Sequence, residues 1–515
     1  MVDTSTPSPE TASRPARGGR SGRAARIAAR TNPAPVYLST LNRRIGPIDA
    51  LSEEGVAALH DAAMTILETT GIEFRDEIAL ADWARAGARV DGARVRLDRE
   101  RLMELISTVP SSFDMHARNP DRTLRVGERS SVFANAYGAP FIHDFDGTRR
   151  PSQLKDAQNL FKLAQMSQAM HVPGILPVEP QDVAVPERHL ELVHAALTLT
   201  DKPIMGPVYS ETAARDTLTM LRLTLGEEFL EDHVAVAALL NCNTPLVWDE
   251  TMLQSLRVYS AAGQPCLLTP FVLAGASTPA SPQAGVALLI AEALAGIAYS
   301  QIIRPGAPAV LGVALMGVSM KTGAPMLGSP EPGLMNLMVG QMARFYGVPW
   351  RSCTMWTGGK AADLQAGFDS ANTMWSVLLG GCNFIVHSAG FVEGALAVSY
   401  AKWMQDSYQL EGFQRFFEGL RDEPMQAILS DIAEIGPGGH FLGTDHTREN
   451  PFLINPLQNN DSFEQWEIEG SCNAQDVGAK AAQAQLERYT EPPMAGETRE
   501  ALAAFMAEKR ALYRG

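Results

Sequence analysis

The chain has 515 residues, of which 45% are hydrophobic, 20% charged and 7% aromatic; this globular balance leaves room for two to four domains or one large α/β unit with extensions. Gly (43) and Pro (33) are too few for a collagen-like or low-complexity protein. The formal net charge of −15 excludes a non-specific nucleic-acid binder, which needs basic surface to displace counterions.

In chain order, residues 1–34 come first, with six arginines against Asp3 and Glu10, a +4 segment rich in Ser, Pro, Gly and Ala. It reads as a disordered basic tail. Its polar start has no apolar h-region and therefore no signal peptide. Residues 35–130 read as a mixed α/β lead-in. Within it, 51–71 is a helix capped by Ser52 and stopped by Gly71, and a second helix covers 99–106.

From about 130, short apolar runs alternate with helical stretches eight times. The strand-like runs are 131–137, 171–178, 203–209, 233–241, 265–271, 308–316, 349–356 and 382–387. The helical stretches between them are 152–168, 187–197, 212–225, 249–262, 283–303, 333–346 and 361–379. The last shows Leu364, Phe368, Ala371, Trp375 and Leu378 as a single apolar face. The longest nearly apolar stretch, 284–299, contains Glu292 and is short of the roughly 20 residues that span a bilayer. Cys242, Cys266, Cys353, Cys382 and Cys472 stand singly, which reads as reduced thiols in a cytoplasmic protein. Residues 401–515 read as a C-terminal helical and loop extension packed on the barrel described next.

Continuous apolar strands alternating with helices predict a parallel sheet buried on both faces. Eight units over about 280 residues match a (β/α)8 TIM barrel, here over 131–400. An open doubly wound sheet is the rival, but no GxGxxG or GxxxxGK[ST] is present. In a barrel the chemistry sits where strands end. The candidates there are Asn135, Tyr137, Glu179, Tyr209, Asn241, Asn243, Thr269, Met316, Thr354, Trp356, His387 and Ser388. The set is rich in amides and rings and poor in metal ligands. Two groups, His143-Asp144-Phe145-Asp146 and His440 with Asp445-His446, contain metal-capable side chains without the spacing of a common site, so no metal centre is expected. Aromatic rings with few charges suit a quaternary ammonium ion, which donates no hydrogen bond and is held by ring faces; rim packing explains the same rings equally well.

Several segments are familiar in combination: Asn135-Ala136-Tyr137-Gly138, Asp146-Gly147-Thr148-Arg149-Arg150, Asp201-Lys202-Pro203, Gly358-Gly359, Asp363-Leu364-Gln365-Ala366-Gly367, Val386-His387-Ser388-Ala389-Gly390 and Gly439-His440-Phe441-Leu442-Gly443. In order from about residue 40 to the C-terminus, the chain resembles the trimethylamine methyltransferase family. The resemblance implies a (β/α)8 barrel that moves a methyl group from an amine to the cobalt of a corrinoid (cobalamin) carried by a separate small protein. It also implies a homo-oligomer. The family's trimethylamine enzymes contain pyrrolysine, and this chain has only the standard twenty residues. It therefore resembles the non-pyrrolysine branch, whose donors are quaternary amines such as glycine betaine. By carry-over, Asn135, Tyr137, Arg351 and His387 are expected to contact substrate, with Tyr209 and Trp356 as further rings. Arg351 pairs a carboxylate in this reading, yet it lies near the start of its strand, where a structural ion pair is the competing role. A quaternary-amine binder without turnover and a barrel enzyme of lyase or hydrolase chemistry are the alternatives.

Overall fold

A closed ring of parallel β-structure organises the chain. It is seen in a computed structural model that describes residues 37–515 apart from 421, 424, 451 and 515; the basic tail lies outside the described residues. Seven of the eight barrel segments are regular strands: Ser130–Phe133, Ile204–Gly206, Val236–Cys242, Cys266–Ala274, Ala309–Gly312, Trp350–Cys353 and Phe384–Val386. From Ile204 onward each pairs in parallel with the next. Phe384 and Ile385 pair back onto Val132 and Phe133 and close the ring. The fold is the (β/α)8 barrel.

The segment expected as a strand over 171–178 makes only one parallel bridge, Ala134 with Val172. Pro173 has no N–H to donate and Gly174 adopts φ +78°, so the ladder stops. Backbone bonds from Asn135 N to Val172 O (3.0 Å) and from Met205 N to Gly174 O (3.4 Å) still span the gap.

Eight helices surround the ring: Leu154–Met166, Val185–Leu199, Glu211–Leu225, Glu250–Ala261, Pro282–Ile303, Pro330–Tyr346, Leu364–Leu379 and Tyr400–Phe417. Side chains of Ser210, Asp249, Asp363 and Ser399 cap four of them by accepting first-turn N–H bonds. The Leu364–Leu379 helix departs from its expected orientation. Its buried face is Ala366, Ser370, Met374, Val377 and Leu378, whereas Leu364 and Phe368 are 72% and 62% exposed. In its first half the small residues Ala366 and Ser370 are buried while the larger Leu364 and Phe368 turn outward.

The lead-in explains a second departure. The apolar helix Pro282–Ile303 has 22 residues, longer than the 284–299 stretch, and by length and composition it is long enough to cross a membrane. Here it is buried on all sides. The barrel lies on one side, and the lead-in helices Glu53–Thr65, Glu77–Arg85 and Arg99–Ile106 lie on the other. The Ser52 hydroxyl caps the first of these, accepting from Gly55 N. That helix ends in a wider turn, Ile66–Thr70, at Gly71 (φ +74°). A Cβ at Gly71 would lie 2.6 Å from Val95 O, so no other residue fits there. Val247–Trp248 leaves the barrel to pair with Ile72–Phe74, tying the lead-in sheet to the ring.

Within the apolar helix, Glu292 accepts bonds from Leu246 N (2.5 Å) and Thr244 Oγ1 (2.8 Å). Burial pushes its carboxyl from an ordinary value of 4.5 up to about 7. The folded state therefore holds a proton that the unfolded chain has released. Its stabilising contribution is present at low pH and is lost as pH rises through about 7. Replacing Glu292 with Gln keeps an acceptor oxygen for Leu246 N, lets the amide NH2 donate to Thr244 Oγ1, and removes the titration. The variant should gain on the wild type by about 2 kcal/mol between pH 5.5 and 8.5. Parallel melting curves at both pH values would contradict this.

Candidate functional site

Side-chain parity on the seventh strand sets the geometry. Trp350 packs outward against Gly340 and Gly380, and Ser352 Oγ donates to Asn336 Oδ1 on an outer helix (2.8 Å). Arg351 and Cys353, on the opposite parity, point into the barrel. Arg351 is 1% exposed. Its Nη1 donates to Val313 O (2.8 Å), and its guanidinium also bonds the Cys353 thiol. Its Nε has no hydrogen-bond partner, and no carboxylate pairs with it among the described residues.

The position of Arg351 low on its strand does not keep it from the site. Its positive charge acts on both Tyr137 and His387 at the C-terminal end of the barrel.

Around that charge the phenols and the imidazole stay neutral. Burial pushes the Tyr137 phenol above its ordinary range, with Arg351 pulling it back and the Glu179 carboxylate pushing it up. Tyr209 is raised by burial and then by Tyr137 and Glu179, so the two rings and this carboxylate are neighbours. Glu179 is paired with Arg188. His387 is held well below its ordinary value, first by burial and then by Arg351.

His387 also has an unusual backbone. It and Met355 adopt φ +63° and +53° at the ends of adjacent strands. Such conformations cost non-glycine residues about 1–3 kcal/mol each and persist only where the surroundings fix them. Here His387 N donates to Asn135 O (3.1 Å) and Ser388 N to Ala134 O (2.9 Å). Met355 is held between Thr373 Oγ1 and the Lys402 ammonium. The bend lays the His387 ring against Trp356 (centroids 5.4 Å apart) and edge-on to Phe391 (4.8 Å).

The structure thus brings Arg351, Tyr137, Tyr209, His387 and Trp356 together. Tyr209 Oη, His387 Nδ1 and Arg351 Nε are all buried without partners among the described residues. Buried polar groups are nearly always satisfied, so these three orphans are candidate contacts for a polar ligand. Asn135 differs. Its Oδ1 accepts from Ala136 N (2.9 Å) and Trp403 Nε1 (2.8 Å), and its Nδ2 donates to Pro173 O (3.3 Å). It ties the end of the first strand to the irregular second segment and the eighth helix.

Sequence reasoning missed Trp403, Phe391 and Cys353. Trp403 lies in a helix beyond the strands and carries no local signal, whereas Phe391 directly follows the Val386–Gly390 motif. The metal-capable pairings resolve into ordinary bonds. His143 meets Glu393 (2.6 Å), which also takes Arg149. Asp144 binds Arg150 (2.9 Å), and Asp146 caps its own turn at Thr148 N. His446 lies 3.7 Å from Glu423, away from the barrel interior.

Comparison with known proteins places this barrel. Residues 16–513 match the family described as trimethylamine methyltransferase (MTTB). The chain belongs to the trimethylamine methyltransferase family. It is 36% identical over 463 residues to the glycine betaine methyltransferase of Desulfitobacterium hafniense (strain Y51), covering 89% of this chain and 96% of that one. It is 24% identical to the L-carnitine:corrinoid methyltransferase of Eubacterium limosum, covering 89% and 97%. Among solved structures, the Methanosarcina barkeri monomethylamine methyltransferase matches with a TM-score of 0.53 at 9% identity, covering 92% of this chain and 93% of that one. At that identity the likeness concerns the fold.

For this member of the trimethylamine methyltransferase family, the unpaired guanidinium has a measurable cost. Desolvating a buried ion costs on the order of several kcal/mol, which an apolar side chain of similar length avoids. Arg351→Met should therefore raise the melting temperature of the ligand-free protein. A fall of several degrees would mean that Arg351 is a structural residue.

Proposed function

We propose that this chain transfers a methyl group from glycine betaine, or a closely related quaternary amine bearing a carboxylate, to the Co(I) corrinoid of a separate protein. The observation that carries this reading is the buried Arg351 guanidinium without a carboxylate of its own. The names of the glycine betaine and carnitine relatives support the same donor class.

The residues divide the donor between them. Arg351 pairs the carboxylate, with Tyr209 Oη and a proton on His387 Nδ1 as further donors. Tyr137 and Trp356 offer ring faces to the trimethylammonium group, at about 0.5–2 kcal/mol per ring depending on desolvation. Glu179 adds negative potential beside the two phenols. Asn135 is a positioning residue that fixes the strand ends from which Tyr137 and His387 project.

The acceptor, carried by its own protein, supplies a cobalt nucleophile. The N–CH3 bond breaks, its electron pair stays on nitrogen, and a neutral tertiary amine leaves. No proton changes hands, which fits a site whose His and Tyr groups are all held neutral. The chain aligns the methyl carbon with the mouth of the barrel and replaces water around the cation with rings. Trimethylamine would leave Arg351 unpaired, so it is a poor donor here. The partner approaches the C-terminal rim, where Phe271, Met326 and Leu396 are exposed. Free cysteines, four of them buried, fit a reducing cytoplasm.

Methyl transfer to Co(I) cobalamin, followed by absorbance across a panel of quaternary amines, should show turnover with carboxylate-bearing donors. No turnover with any of them would defeat the proposal. In calorimetry, Arg351→Met should weaken glycine betaine binding by at least about 100-fold, consistent with a charge-assisted bidentate pair. Wild-type affinity should be flat from pH 6 to 8.5, because His387 is lowered and stays neutral throughout. A transition near pH 6.5 would contradict the neutral imidazole.

A further inference from the structure

One turn of the helix Tyr400–Phe417 bonds to the ends of three neighbouring barrel strands. Lys402, 2% exposed, donates from its ammonium to Met355 O (2.7 Å) and to Asp406 Oδ2 (2.5 Å). The same carboxylate oxygen accepts from Gly390 N (2.8 Å). Trp403, between the two, donates to Asn135 Oδ1. Gly390 adopts φ +90°, and a Cβ there would lie 2.9 Å from Trp403 Cδ1, so its turn sits directly on the helix.

Burying an ammonium and a carboxylate is expensive, and apolar side chains of similar volume in their place are often as stable or more so. What such side chains lack is a directed donor for Met355 O and a directed acceptor for Gly390 N. Both bonds reach turns with strained backbone. Met355 is itself at φ +53°, and His387, at φ +63°, lies three residues before Gly390. Beyond Met355, Thr357 Oγ1 donates to Asp369 Oδ2 (2.6 Å), so Trp356 is held from both sides. Met355, Lys402 and Asp406 also line a cleft of about 250 Å³ between the last two outer helices, which gives the Met355 turn room to relax once released. Among the described residues, no hydrogen bond of Arg351 runs to the pair.

We propose that Lys402 and Asp406 are positioning residues for methyl transfer: the pair holds the Met355 and Gly390 turns so that Trp356 and His387 keep the faces they present to the donor, and with them the alignment of its methyl group. The assignment of these two residues rests on the quaternary-amine donor proposed above. Neither touches the donor. Arg351 holds the carboxylate end, and the two clamped turns set the direction in which the methyl carbon points, so binding and alignment fall to different residues.

Lys402→Met with Asp406→Leu removes both charges and both backbone bonds together, and the variant should melt within a few degrees of the wild type. At saturating glycine betaine its methyl transfer to Co(I) cobalamin should be at least about tenfold slower. In its crystal structure the Trp356 and His387 ring centroids, 5.4 Å apart in the wild type, should move apart by about 1 Å or more. Asp406→Asn, whose amide oxygen accepts from both Lys402 and Gly390, should keep turnover within about threefold of the wild type. A purely structural pair would leave the double variant with a wild-type rate per folded molecule; that rate, or rings that stay in place, overturns the proposal. So does an Asp406→Asn variant as slow as the double one. If the double variant does not fold, Lys402→Met with Asp406→Asn loses the Met355 bond, keeps the Gly390 bond and should still transfer more slowly; a wild-type rate there overturns the proposal too. A wild type inactive with every donor defeats the donor reading, and the rings in the double variant's crystal structure then decide whether the pair holds the two turns.

Discussion

Arg351 carries its positive charge inside the barrel with one backbone carbonyl and one thiol for company, and the rest of the site is arranged around that fact. An uncompensated buried cation is expensive in free energy, and its neighbours show what it does to them. It helps to keep His387 neutral and pulls against the burial that raises the Tyr137 phenol. A second buried guanidinium, Arg43, makes the contrast. It is served by Ser131 Oγ and the carbonyls of Cys382 and Glu128, and so it is finished as a structural group. Arg351 is not finished until a ligand oxygen arrives.

The same constraint sorts substrates. A ligand that satisfies the guanidinium brings a carboxylate, and a ligand that suits the surrounding rings brings a cation with no hydrogen to donate. A betaine is both in one small molecule. It also needs no general acid, which agrees with a site where burial keeps the Tyr137 and Tyr209 phenols and the His387 imidazole neutral. The strained turn at His387 fits this picture. It is held by bonds to the first strand, and it sets the imidazole against Trp356.

Much of the frame was legible in the sequence, because a buried parallel strand is a continuous apolar run and a surface helix is periodic. Seven strands and seven of the outer helices lie where those patterns placed them; the eighth, Tyr400–Phe417, falls in the segment read as a C-terminal extension. The second segment was misread because Val172, Ile175 and Val178 are apolar like a strand, while Pro173 and Gly174 break the ladder that defines one. The Leu364–Leu379 helix was misread for a related reason. Periodicity finds the largest apolar face, and this helix buries a neighbouring face of Ala366, Ser370, Met374, Val377 and Leu378 instead. Membership of the site was readable from strand ends and motifs, but reach was not. Strand position says where a Cα lies, and Arg351 acts several ångströms beyond its own. Trp403 was invisible because the bond that matters, to Asn135, joins positions 268 residues apart.

In the proposed function one site recognises two opposite charges on one small molecule, and single-feature analogues separate them. Titration calorimetry should compare glycine betaine with choline, which keeps the cation and lacks the carboxylate, and with 3,3-dimethylbutyrate, which keeps the carboxylate and replaces the ammonium with a neutral tert-butyl group. The account predicts that both analogues bind at least about 100-fold more weakly than glycine betaine, each loss corresponding to about 2.7 kcal/mol or more. Choline binding as tightly as glycine betaine would contradict it, because the charge on Arg351 would then have no part in recognition.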